Sequence, residues 1–175
     1  MIIRKADLKD IKNSYAVYSN VLKSEEEGFS SIGWIRGVYP TQNTVIEAVN
    51  AGDFFVCEED GKILACARIN QIQVPDYANA DWEFKNIADD KIMVLHTLAV
   101  DPGAAGKGIG TKFVKFYEEY AKNAGCTHLR MDTNEKNKNA RRLYKKLGYK
   151  EADIIPCDFN GIPDIRLVCL EKKIG

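Results

Sequence analysis

Residues 98–112 read LAVDPGAAGKGIGTK, and the fold of the chain turns on how this stretch is built. The apolar LAV runs into Asp101-Pro102, where a strand must stop. Four glycines, two alanines and Thr111 follow. From Ile109 onward, Phe113, Phe116, Tyr117 and Tyr120 recur at helical spacing as far as Gly125. The stretch therefore reads as strand, small-residue loop, helix. Successive N–H groups of residues 106–111 would converge at the positive end of that helix, a ready site for an anion. A diphosphate is the natural occupant, and bulky side chains would block its approach.

Two other phosphate devices fail here. A P-loop needs Gly-Lys followed at once by Ser or Thr, whereas Lys107 is followed by Gly108. A dinucleotide fingerprint needs GxGxxG after the first strand of a βαβ unit, with an acidic residue about twenty positions on. Gly106, Gly108 and Gly110 give GxGxG in mid-chain, and Glu118, Glu119 and Asp132 miss the required place.

Outward from the loop, KIMVLHTLAV is a strand rich in branched residues, and THLRMDT is another. NKNARRLYKKLGY is a helix with Ala140, Leu143, Tyr144 and Leu147 on one face, ended by Gly148. The tail gives two strands, about 149–155 and 164–172, around DFNGIP. Upstream, DFFVCEE and KILACARIN form a hairpin at Asp60-Gly61. Counting outward from that turn pairs Cys57 with Leu64 and Cys66 with Phe55. MIIRKA suits an edge strand, Asp7 or Asp10 caps the next helix (Ile11, Tyr15, Val17, Tyr18, Leu22), and TVIEAVNAG is a short helix stopped at Gly52. The order β-α-α-β-β-β-α-β-α-β-β predicts an α/β fold, a mixed sheet flanked by helices, with residues 1–175 forming a single domain.

Composition narrows the function classes. The net charge is zero, but residues 91–150 hold thirteen Lys/Arg against five Asp/Glu, and the remainder twelve against twenty. A basic segment around the glycine run suits a phosphate-bearing ligand; overall neutrality argues against nucleic acid. No apolar run approaches the length of a bilayer span, and MIIRKADLKD turns polar too soon for a secretory leader, so the expected location is the cytosol. The five cysteines lack metal spacing and read as small buried hydrophobes, with no metal site expected.

LAVDPGAAGKGIG followed some 27 residues later by NKNARRLYKKLGY resembles the GCN5-related N-acetyltransferase (GNAT) superfamily. The likeness is firm over 92–150 and looser upstream, through GWIRGVYPT and the hairpin. It implies a central, mostly antiparallel sheet with splayed strands, and acetyl transfer from acetyl-CoA to a primary amine of a small molecule or peptide, in a ternary complex. It also implies that the diphosphate sits on the backbone of Ala105, Gly106, Lys107, Gly108, Ile109, Gly110 and Thr111, and the pantetheine arm along Leu98, Ala99 and Val100. Ala105 departs from the Arg or Gln usual near that place; Lys107 or Lys112 is the replacement charge. Tyr144 falls on the general-acid tyrosine of N-x-x-A-x-x-L-Y, though it also completes an apolar stripe, and Asn137 is expected to hold pantetheine or backbone. His96 is the first candidate for general base, its face shared with Val94 and Leu98 if no bulge intervenes; Glu83, Asp132 or ordered water are alternatives, as is a purely structural histidine. Glu25, Glu26, Glu27, Trp34, Tyr39, Trp82 and Glu83 are candidates to line the acceptor site. A catalytically silent CoA-binding or acyl-CoA-sensing module is the rival reading. Relatives of this kind are often homodimers, and the chain's own oligomeric state stays open.

Overall fold

The computed structural model describes residues 1–175. Seven strands form one sheet in the order β1-β2-β3-β4-β5-β7-β6: β1 Ile2–Lys5, β2 Phe54–Glu59, β3 Lys62–Asn70, β4 Ile92–Val100, β5 His128–Asn134, β6 Lys150–Phe159 and β7 Ile162–Lys173. Four helices flank it: α1 Ile11–Glu26, α2 Gln42–Asn50, α3 Ile109–Asn123 and α4 Lys138–Lys146. All neighbours pair antiparallel except β4 with β5, which run parallel. The element order is the one expected. No helix is long and apolar enough to cross a membrane.

The two faces of the sheet bury different sets. Phe113 and Tyr117 of α3 pack on Met93, Leu95, Leu129 and Met131. On the other face, Val17 and Tyr18 of α1 and Val45 of α2 cover Phe54, Val56 and Cys66. A third cluster, holding Tyr77, Trp82, Ile92, Val94 and Leu167, lies under the connector that joins β3 to β4. Burying these side chains contributes roughly 1.5–3 kcal/mol each before conformational entropy is set against it.

Local chemistry explains the ends of the elements. Asp7 caps the first turn by accepting from Lys9 N, in a reciprocal capping box with Asp10. Asp10 in turn takes the Arg4 guanidinium at 2.6 Å, tying α1 to the edge strand β1. Asp60 and Gly61 both have positive φ, which the tight β2–β3 turn requires.

Three registers depart from the sequence reading. A bulge at Cys57/Glu58 pairs Cys57 with Ala65 and Val56 with Cys66, one residue off the count from the turn. The thiols still lie on opposite faces, in separate clusters. The last hairpin is longer than expected: β6 and β7 meet at a two-residue Asn160-Gly161 turn, where six residues, DFNGIP, had been assigned to the loop. Asn-Gly is itself a strong hairpin signal, hidden here between two prolines.

The third departure matters most. Thr97 has φ 54° and forms a bulge in β4, so that Arg68 pairs with His96 while Cys66 pairs with Ala99. Leu98 therefore does not share His96's face; it packs against the α3 side of the sheet. Tyr18 Oη donates to the Thr97 carbonyl at 3.0 Å, and the Tyr39 hydroxyl bonds the Thr97 side chain. These bonds replace ladder partners at the bulge and hold it in place.

Candidate functional site

β4 and β5 pair only from Ile92/His128 to Leu95/Met131. Beyond that point β4 stays with β3 as far as Val100, and β5 stays with β7 as far as Asn134. The two strands part, and residues 96–100 keep an edge that no strand occupies. This is the expected splay, and the Thr97 bulge sits at its start. Tyr117 Oη donates to Met93 O at 2.6 Å and lies 3.1 Å from Arg130 O, clasping the two strands where they still run together.

At the outer end of the open edge lies the glycine loop. Asp101 accepts from Gly103 N, Ala104 N bonds Asp101 O, and Ala105 N bonds Pro102 O. From Gly106 to Thr111 no carbonyl or side chain of the protein accepts from the backbone N–H groups. Gly108 is the N-cap of α3 in the left-handed region (φ 73°), and no side chain caps the helix. Gly110 lets the first turn come close to α4: a Cβ there would stand 3.2 Å from Leu143 Cδ2. Ala105 and Lys107 are exposed beside this run of bare donors. The Lys112 ammonium instead reaches the Met1 sulfur at 3.6 Å.

The cleft opens into a cavity of about 430 Å³, within the range of small-molecule sites. Tyr144 reaches it from α4, Leu98 and His96 from β4, Asp132 from β5 and Asn137 from the turn before α4. Asn137 Oδ1 caps that helix by accepting from Ala140 N at 3.2 Å. Trp34 and Tyr39, two of the candidates for the acceptor site, also line this cavity.

Other anticipated lining residues lie elsewhere. Glu25 accepts from Ser30 and from the Ile32 and Gly33 backbone, shaping the loop after α1; Glu26 pairs with Arg36. Glu27 sits 3.8 Å from the Lys23 ammonium on the outer face of that helix end. Trp82 is buried against Tyr77 and Arg130, and Glu83 pairs with Lys150 at 2.9 Å. Glu83 does not line the cavity. These carboxylates are spent on local structure.

The electrostatics separate the remaining titratable groups. Burial, reinforced by the Arg68 guanidinium, pulls His96 down to about 4. Its Nε2 lies 2.9 Å from Asn70 Oδ1. Burial pushes Asp132 up to about 6, partly offset by the hydrogen bond it receives from Tyr77 Oη at 2.8 Å. Burial and the Asp132 charge raise Tyr144 well above an ordinary phenol. No protein group accepts from its hydroxyl, which is therefore protonated and free.

The sequence reading missed Arg68. This residue lies opposite His96 on β3 and reaches the same cavity. Only its pairing partner across the sheet brings it there, so nothing local could have flagged it.

The model of the acetyltransferase (GNAT) family matches residues 15–149. Among curated proteins, an uncharacterized N-acetyltransferase of Methanocaldococcus jannaschii is 27% identical over 98% of this chain and 92% of its own length. The chain spans 41% of the length of another protein of that archaeon. Among solved structures, a GNAT-family acetyltransferase of Streptococcus agalactiae superposes with a TM-score of 0.83 at 24% identity, over 99% of this chain and 95% of that one. yncA of Salmonella typhimurium, solved with its cofactor acetyl-CoA, does so with a TM-score of 0.69 at 18% identity, over 100% and 94%. A sheet parted between β4 and β5, bare amides at the head of α3 and a match over most of the length agree: the chain belongs to the GNAT family of acetyltransferases.

Proposed function

We propose that the protein transfers an acetyl group from acetyl-CoA to a primary amine, with both substrates held together. The observation that carries this reading is the run of unpartnered amides, Gly106 to Thr111, following directly on the open edge of β4, whose Leu98 lines the same cavity as the free Tyr144 hydroxyl and Asp132.

These residues fit an acyl-CoA. Six N–H groups at a helix N-terminus suit the diphosphate, with Lys107 adding charge where the family's usual side chain is replaced by Ala105. Leu98, Ala99 and Val100 offer the open strand edge to the pantetheine amides. Asn137 spends one oxygen on its helix cap and keeps its amide for the ligand. Bound acetyl-CoA supplies an activated thioester. The chain supplies oriented amides and two proton-handling groups.

The attacking amine has to lose a proton. A base near working pH serves best, and Asp132 at about 6 meets that better than His96 at about 4. We therefore give the role to Asp132. His96, the first choice from sequence, becomes a neutral wall residue bonded to Asn70. Tyr144 Oη hands its proton to the departing sulfur, which as a thiol has an ordinary pKa of about 8.5. Burial and the Asp132 charge keep that phenol protonated until the thiolate forms beside it.

The test is release of free thiol from acetyl-CoA across a panel of amines, alongside binding of CoA. Amine-dependent release is expected. CoA binding without turnover on any amine would leave the rival reading, a silent CoA sensor.

A further inference from the structure

The acceptor lobe of the cavity holds a guanidinium whose binding edge is unused. Arg68 Nε bonds both oxygens of Asp53, each at 2.9 Å, and Asp53 is itself held by Asn70 Nδ2 at 2.7 Å. The two terminal nitrogens of Arg68 have no protein partner. The guanidinium is close enough to His96 and Tyr39, both cavity-lining, to pull on each of them. Asp53 thus fixes the side chain from behind and leaves its planar fork facing the cavity.

From this geometry we infer that the acceptor carries a carboxylate, and that Arg68 grips it. This assignment rests on the transferase reading and names the class of amine within it. A fixed guanidinium with two free N–H edges matches the two oxygens of a carboxylate. Asp132 lies on the same face of the sheet, two strands away. β4 and β5 have parted by that point, so the two strands stand further apart than the roughly 10 Å of continuous pairing, and the long Arg68 side chain reaches inward toward an acceptor whose amine lies on the Asp132 side. Trp34, Tyr39 and Ile165 add apolar surface to the same cavity. The remaining charged lining residue, Glu47, is exposed at the rim. An amino acid with an apolar or aromatic side chain fits this arrangement better than a polyamine, which would leave Arg68 facing positive charge.

Pairs of acceptors that differ only in the carboxylate test this: L-phenylalanine against 2-phenylethylamine, L-methionine against 3-(methylthio)propylamine, L-lysine against cadaverine. Thiol release with acetyl-CoA is expected to give the carboxylated member at least about a tenfold higher kcat/KM in the preferred pair. In Arg68→Met that preference should collapse to about twofold or less, through KM, and Arg68→Lys should restore part of it. Arg68→Met leaves Asp53 alone, so the double variant Arg68→Met/Asp53→Asn is measured beside it, with CoA affinity reporting an intact fold. Equal or better turnover of the decarboxylated amines would overturn the assignment while leaving the transferase reading intact. So would a preference for the carboxylate that survives in Arg68→Met. Turnover of neither member of any pair, with CoA bound, would overturn the assignment, and only the absence of turnover across the whole amine panel would overturn the transferase reading as well.

Discussion

At the scale of single residues, burial divides the labour between three side chains that share one cavity. Tyr144 is raised and keeps its proton, Asp132 is raised to about 6 and loses its own near neutrality, and His96 is lowered to about 4 and stays uncharged. The direction of the pH effect follows. A base works ionised, so with Asp132 as the base kcat/KM climbs as pH rises through about 6 and levels off above it. The titratable groups that feel this carboxylate are Tyr77, Asp76, Tyr144, Tyr39, Cys157 and Cys169, and the hydrogen bond comes from Tyr77, so Asp132→Asn should erase that limb and lower turnover by about 10²-fold or more. A limb that persists in Asp132→Asn, or one centred near 4 and lost in His96→Ala, returns the role to His96. Tyr144→Phe removes only an oxygen, and should cut kcat at least about tenfold with CoA affinity within about twofold of the parent. Equal turnover would reduce Tyr144 to a packing residue on its apolar stripe.

At the scale of elements, the device that matters is the turn from β4 into α3. Gly108 takes φ 73° as the cap of the helix, a conformation that costs an L-residue about 1–2 kcal/mol. Gly108→Ala has open space for its methyl group, so its penalty is backbone strain alone. The expected result is a fall in Tm of about 2–4 °C per kcal/mol and a severalfold weaker grip on CoA, read by calorimetry and titration. An unchanged CoA affinity would mean that the amides of residues 106–111 are not where the cofactor is held. This loop was legible in the sequence because glycine and proline act through local sterics, which a short stretch states completely. The bulges were not. Thr97 leaves the ladder because Tyr18 and Tyr39, from α1 and the loop beyond it, take its polar groups. Those partners are 79 and 58 residues away, and no periodicity within β4 records them. Arg68 stayed hidden for the same reason: on β3 it is one more polar residue until His96 is set beside it.

At the scale of the molecule, no half of the chain owns the site. Trp34 and Tyr39 come from the N-terminal third, Arg68 and His96 from the middle, and Phe159 and Ile165 from the last hairpin, all around one cavity. The seven strands belong to one sheet from β1 to β6, β4 and β5 staying paired as far as Leu95/Met131, and Arg4 links its first strand to both Asp10 and Glu58. Cooperativity should follow from that continuity, so residues 1–175 are expected to unfold in one transition, as a single domain. A ligand that binds only the folded form stabilises by RT ln(1 + [L]/Kd), about 2.7 kcal/mol at a hundred times Kd. For a chain of this size that amounts to a rise of about 5–10 °C, and it should move the whole transition rather than one part of it. Scanning calorimetry with and without CoA checks both points, with NAD as the control expected to give no shift. Two separated transitions, only one of them moved by CoA, would show the acceptor wall and the cofactor loop to be independent units. That would contradict a site assembled from the entire sheet.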